Sequence, residues 1–271
     1  LEVAITELEG RLERRDGFFF LPGRGLLIAG WADREKLQRR LLKKAKHIKW
    51  LLRTTPFVEF VAVCNYLPLG VVEENSDIDL LVVTTPGRIF TARLLLTIFF
   101  QIAGMRRHAD KVEGRFCLSF YLNRHSLSLE RLLIKPNDFY MAYWMLALWP
   151  LYGDKSIYQE MMRENEKWLQ QYFSGTLQRG IGVQIMQSSN KSAGKNLVGK
   201  LMEFLLRRRI GDAFEKGLKK YFLKRHARNI EYLPENASVE VSDERLKFHN
   251  NDKRQYFREE FEKRLERLQL L

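Results

Sequence analysis

The chain has 271 residues, enough for two modest domains or one large one, and its 45% hydrophobic and 29% charged content excludes a disordered or fibrous protein. A formal net charge of +13 favours a polyanionic partner (nucleic acid, nucleotide or an anionic membrane surface), the alternative being a proteome generally rich in lysine and arginine. Cys64 and Cys117 are the two cysteines and both lie in apolar runs, which excludes a disulfide scaffold and suits a reducing cytoplasm.

No signal peptide is visible, and the longest apolar runs, Leu94 to Gly104 and Phe139 to Leu151, are too short to span a bilayer; a membrane surface competes with nucleic acid for the basic segments, but nothing else in the sequence suggests lipid, so no membrane partner is expected. The sequence opens on Leu1, from which a longer natural N-terminus is expected. Val3, Ile5, Leu8 and Leu12 suit a short amphipathic helix, Arg15-Asp16-Gly17 a turn, and Phe18 to Leu21 a strand ended by Pro22-Gly23. This succession over residues 1–30 resembles the last helix and wing of a winged-helix domain; an N-terminal arm packed on the core is the alternative. Ala32 to Leu52 reads as a helix with a basic face (Arg34, Lys36, Arg39, Arg40, Lys43, Lys44, Lys46, Lys49) and an apolar one built on Leu37, Leu41, Leu42, Ala45 and Ile48.

Val58 to Val83 is the most informative stretch. It reads as strand, glycine-bearing turn, strand, both strands apolar enough to be covered on two faces. Asp77 and Asp79 open the second strand. Residues two apart on a strand share a face, so the two carboxylates project together while Ile78 and Leu80 project the other way. Paired carboxylates make a hard oxygen site suited to Mg²⁺. Ser76 just before them is placed to cap a turn or donate to a phosphate.

The stretch resembles the nucleotidyltransferase superfamily, the DNA-polymerase-β-like fold, whose signature is a strand, a Gly-Ser turn, a spacer and Asp-x-Asp on the next strand. Ser-Asp-Ile-Asp-Leu-Leu-Val at Ser76 to Val82 carries the second half of that signature. Asn65 and Tyr66 stand where the family has Gly-Ser, and Gly70 serves as a second turn glycine. The resemblance implies that Asn65, Tyr66, Gly70 and Ser76 bind nucleotide, and that Asp77 and Asp79 are catalytic and hold Mg²⁺. It also implies an α+β (α/β-like) fold with a small mixed sheet over residues 31–125, followed by a helical, basic C-terminal domain over 126–271.

The chain continues with a helix from Arg88 to Ala103, a basic loop of Arg106, Arg107, His108 and Lys111, and a third strand, Arg115 to Leu122. The family's third carboxylate belongs on that strand, where Ser119 is central; Glu113 and Asp110 lie further out. Asn137 or Asp138 caps a helix to Leu148, Pro150-Leu-Tyr-Gly-Asp is a helix stop that extends the resemblance to about Asp154, and Ile157 to Phe173 is another helix. Ser174 to Lys195 reads as a linker. Leu197 to Asn229 is the most basic segment, apolar on one side, with Arg207, Arg208, Arg209, Lys219 and Lys220 foremost among its polyanion-binding residues. Glu240 to Asp252 reads as a short strand and turn, with His249 and Asp252 as a cap or local hydrogen bond, before a charged helix from Arg254 to Leu270.

Two function classes follow. One is an enzyme that transfers a nucleotidyl group from an NTP to a hydroxyl acceptor with Mg²⁺ on the paired aspartates. The other is a catalytically decayed copy of that fold acting as a nucleic-acid-binding or regulatory module, with a purely structural partner protein as a third reading.

Overall fold

The structure is a computed structural model and describes residues 12–108, 110–173, 194–229, 232, 234, 236–249 and 251–267. The helix expected around Val3 to Leu12 and the linker expected from Ser174 lie almost wholly outside them. In chain order the elements are β1 (Glu13–Arg15), β2 (Phe18–Phe20), α1 (Leu26–His47), α2 (Lys49–Thr54), β3 (Val58–Val63), β4 (Ile78–Thr84), α3 (Ile89–Ile102), β5 (Phe116–Asn123), α4 (Phe139–Leu146), β6 (Trp149–Gly153), α5 (Lys155–Leu169), α6 (Leu197–Leu206), α7 (Arg209–Asn229), β7 (Ser238–Val241), β8 (Arg245–His249) and α8 (Arg254–Arg267). The fold is mixed α/β.

β1 and β2 form a hairpin with Arg15 opposite Phe18. Asp16 and Gly17, both at positive φ, supply the two-residue turn whose twist matches the strands it joins. The other strands form one six-stranded sheet in the order β6-β3-β4-β5-β8-β7. β4 and β5 are parallel, and the neighbours on either side are antiparallel. A parallel pair needs a crossover, and α3 provides it. The sheet is buried on both faces, as the apolar strands imply. Val61, Val63, Ile78, Leu80 and Val82 pack with α1, α2 and α3, while Phe60, Ala62, Leu81, Val83 and Leu122 pack with α4 and α5.

Three expectations change. The Pro150 to Gly153 segment is strand β6, not a helix stop. It occupies the sheet's edge, where a proline's missing N–H costs no ladder bond. Gly153 sits at φ +106 against β3, where a Cβ would lie 2.1 Å from the Glu59 carbonyl oxygen, so only glycine fits. Residues 126–271 are not helical throughout: β6, β7 and β8 join the same sheet as the strands before residue 125. The long helix expected over 32–52 is interrupted at Ile48, and the basic segment 197–229 likewise folds as two helices, parted at 207–208.

The second interruption lets α7 fold back onto α3. Helix α3 has no side-chain cap of its own at Arg88. Glu215 of α7 supplies one: its carboxylate accepts from the Phe90 and Thr91 amides at 2.9 and 2.8 Å and from the Thr91 hydroxyl at 2.5 Å. A buried anion thus satisfies orphan donors at a helix N-terminus. Arg88 pairs with Asp212 one turn earlier at 2.5 Å. Replacing Glu215 by Ala is expected to cost about 3 kcal/mol, because it leaves buried N–H groups without partners. Replacing exposed Lys216 is expected to stay within about 0.5 kcal/mol. Urea denaturation of the two variants checks the contrast.

Candidate functional site

The site forms where the sheet divides. β5 pairs with β8 only from Phe120 to Leu122. Before Phe120, β5 carries an irregularity: Asp79 faces Cys117 but Leu81 faces Phe120, so β5 has one residue more than β4 between these pairs. Such a bulge re-aims side chains and ends pairing. Beside it lies a cleft of about 610 Å³. Asp77, Asp79 and Cys117 line it from the sheet, Asn65 and Tyr66 from the turn after β3, Trp144 from α4, Arg93 from α3, Arg106 and Arg107 from the loop before β5, and Lys247 and His249 from β8.

Asp77 and Asp79 project together, as strand parity demands. With Cys117 they bring three ligand atoms within 4.8 Å of one another. Arg107 Nη1 donates to Asp77 Oδ2 at 2.7 Å. Burial first, and then the charge of Asp77, push the Asp79 carboxyl up to about 6, against a hydrogen bond from Asn65. Cys117 is pushed up to about 12 by its burial and by Asp79, so it stays a thiol, donating to Ser119 Oγ at 3.3 Å. The position expected for a third carboxylate is therefore shared by Cys117 and Ser119, both neutral. Glu113 lies off the cleft, 4.0 Å from Arg40.

The turn residues divide. Asn65 adopts φ +61, and its Oδ1 accepts from Trp144 Nε1 at 2.6 Å. Tyr66 sets its ring edge-on to Tyr140. Gly70, at φ +72, lies against Gln38, which donates to the Leu67 and Pro68 carbonyls and so braces this loop from α1. The Ser76 hydroxyl accepts from the Glu73 amide at 2.9 Å and caps a turn. Neither Gly70 nor Ser76 lines the cleft.

The basic residues of the 197–229 segment are also away from it. Arg207, Arg208 and Arg209 are exposed at the α6–α7 junction, Lys219 pairs with Asp243 at 2.5 Å, and Lys220 is exposed. The cations that share the cleft with the carboxylates are Arg93, Arg106, Arg107, Lys247, Lys253 and Arg254, and of these Arg107 pairs with Asp77. Arg93 was missed, although its sequence signal is plain: it is the one charged residue in the apolar α3.

The far wall rests on a buried polar network. Asp252 accepts from Arg254 Nε at 2.9 Å and Lys247 Nζ at 3.2 Å, and Arg254 Nη1 reaches Asp138 at 2.9 Å. Asp138 also caps α4 through the Met141 amide. These cations hold Asp252 below the usual carboxylate range despite its burial. His249 is pushed down to about 4 by burial and by Lys247, and is neutral at physiological pH. Asp252 is thus the local hydrogen-bonding group expected, with Arg254 and Lys247 rather than His249 as its partners.

The raised Asp79 has a consequence for stability. The folded state binds a proton there more tightly than the unfolded chain, so stability falls as pH rises from about 4 to about 6. In EDTA at pH 7.5, Asp79→Asn is expected to be more stable than the parent by about 2 kcal/mol, the full shift being reduced because the carboxylate opens on the cleft. At pH 3.5 the difference is expected to vanish. Thermal melts at the two pH values check it.

No helix among the described residues is long and apolar enough to cross a membrane. No family model, curated protein or solved structure matches the chain, so its reading rests on the geometry above.

Proposed function

We propose that the cleft is a nucleotidyltransferase site, in which an NTP binds with Mg²⁺ and its α-phosphorus is transferred to a hydroxyl acceptor. The observation that carries this is the Asp77–Asp79 pair in a cleft that Arg93, Arg106, Arg107, Lys247, Lys253 and Arg254 also line. Two carboxylates side by side are costly when buried unless a cation joins them. The donor set fits Mg²⁺: two hard carboxylates, with water and phosphate oxygens completing the shell, and a protonated Cys117 that is a poor ligand for it. Bound there, Mg²⁺ would neutralise charge on the phosphates and on the leaving group.

The chain's own residues position and balance. Arg107 orients Asp77, and Asn65, tied to Trp144, fixes the turn beside Asp79. In the transfer the acceptor oxygen bonds to the α-phosphorus, the bond to the bridging oxygen breaks, pyrophosphate leaves, and the hydroxyl proton passes to water at the cleft mouth. Rate enhancement would come from orientation and electrostatics.

A second reading has its own support. Cys117 and Ser119 stand where the family resemblance places a third carboxylate, and this favours a decayed site in a nucleic-acid-binding or regulatory module. Titration of ATP, GTP, CTP and UTP with and without Mg²⁺ separates the two. On the enzyme reading at least one NTP binds in a Mg²⁺-dependent way, and Asp77→Asn weakens it by about tenfold or more, which is about 1.4 kcal/mol. If none of the four binds, the enzyme reading falls and the decayed module stands.

A further inference from the structure

Arg93 enters the gap where β5 and β8 part. Its Nη1 donates to the Leu118 carbonyl at 2.9 Å, a backbone group beyond the end of the β5–β8 pairing. Its guanidinium carbon lies 3.9 Å from the centre of the Phe248 ring, 5.4 Å from Tyr121 and 5.5 Å from Phe222. Those ring faces favour a cation but accept no conventional hydrogen bond. A guanidinium has five N–H donors. Among the described residues Leu118 is its one hydrogen-bond acceptor, and no carboxylate pairs with it.

Arg106 lines the same cleft, and among the described residues its guanidinium donates to the neutral Gln101 side chain alone, at 3.4 Å. Of the neighbouring cations, Arg107 is committed to Asp77, and Lys247 and Arg254 to Asp252. Burial, and then the like charges of Arg106 and Arg225, hold Arg93 below its ordinary value. Cations gathered in this way, short of acceptors and partly desolvated, call for an anion.

We propose that Arg93 and Arg106 form a phosphate subsite that takes the terminal phosphates of a nucleoside triphosphate. This rests on the nucleotide reading of the cleft and adds where the phosphates lie. The turn at Asn65–Tyr66 has a side chain at each position, and Asn65 is bound by Trp144, so it offers phosphate little of what a Gly-Ser turn offers. Side-chain forks on α3 and the following loop supply the missing donors, since a guanidinium matches two phosphate oxygens at once. The cleft volume of about 610 Å³ suits a ligand of nucleotide size.

The test is a calorimetric titration of inorganic tripolyphosphate, in EDTA, into the parent, Arg93→Met, Arg106→Gln and Asp77→Asn. The parent is expected to bind. Arg93→Met, which keeps the stem and loses the fork, is expected to weaken binding by about tenfold or more, and Arg106→Gln by severalfold. Asp77→Asn is expected to bind at least as tightly as the parent, because Arg107 is released. These results do not depend on the metal, so a failed Mg²⁺ titration and a failed phosphate subsite remain distinguishable. The proposal is overturned if the parent does not bind tripolyphosphate, or if Arg93→Met binds undiminished with a parental melting curve. Should Arg93→Met not fold, undiminished binding by Arg106→Gln overturns it. A loss confined to a single-stranded oligonucleotide titrated in parallel would also overturn it, assigning the cations to a strand instead.

Discussion

The parallel pairing of β4 with β5, and its irregularity after Asp79, is the constraint on which the cleft depends. The pairing sets Cys117 beside Asp79 and keeps the two aspartates at the rim of an otherwise apolar sheet. The extra residue in β5 coincides with the end of its pairing to β8, and the cleft lies in the gap. Groups from both faces of the sheet meet there: the aspartates lie in line with Leu81 and Val83 on the α4–α5 face, whereas Arg93 comes from α3 on the other. A continuous ladder would have kept them apart.

Two carboxylates far along the chain, Glu215 buried and Asp252 partly buried, hold the walls in place. Glu215 caps α3 and so fixes the helix that carries Arg93. Asp252 binds Arg254 and Lys247, and Arg254 reaches on to Asp138 at the start of α4, the helix that carries Trp144. Buried charges without partners are expensive, and each of these has several. The site is thus coupled to the C-terminal third of the chain through charge satisfaction as well as packing. The result is an uneven electrostatic floor, in which Arg107 is spent on Asp77 while Arg93 and Arg106 have no acid among the described residues.

Much of this was legible in the residues. Apolar runs of strand length announced a sheet covered on both faces, and period-two alternation placed Asp77 and Asp79 on one side, because the pleat fixes direction locally. Helix α3, the capping role of Asp138 and the buried stripe Leu37, Leu41, Ala45 and Ile48 follow from equally local rules. Pro150 misled, since a proline that ends a helix and a proline on an edge strand look alike until the strand's neighbours are known. The basic segment lies elsewhere: Arg207 to Arg209 are exposed and off the cleft, and charge in a sequence does not say which groups share a site with a carboxylate.

The sequence by itself determined the local matters: where β3, β4 and β5 run, which way the paired aspartates point, and that the chain is strongly basic. Only the tertiary structure decided that Cys117 joins the aspartates, that Arg93, Arg106 and Arg107 rather than Arg207 to Arg209 share their cleft, that Ser76 is spent on a turn, and that strands after residue 125 complete the sheet. The reason is range. Parity and periodicity act over a few residues of backbone geometry, whereas a bulge's register, the end of a pairing and the partner of a buried charge are set by residues distant in sequence, whose burial leaves them little choice.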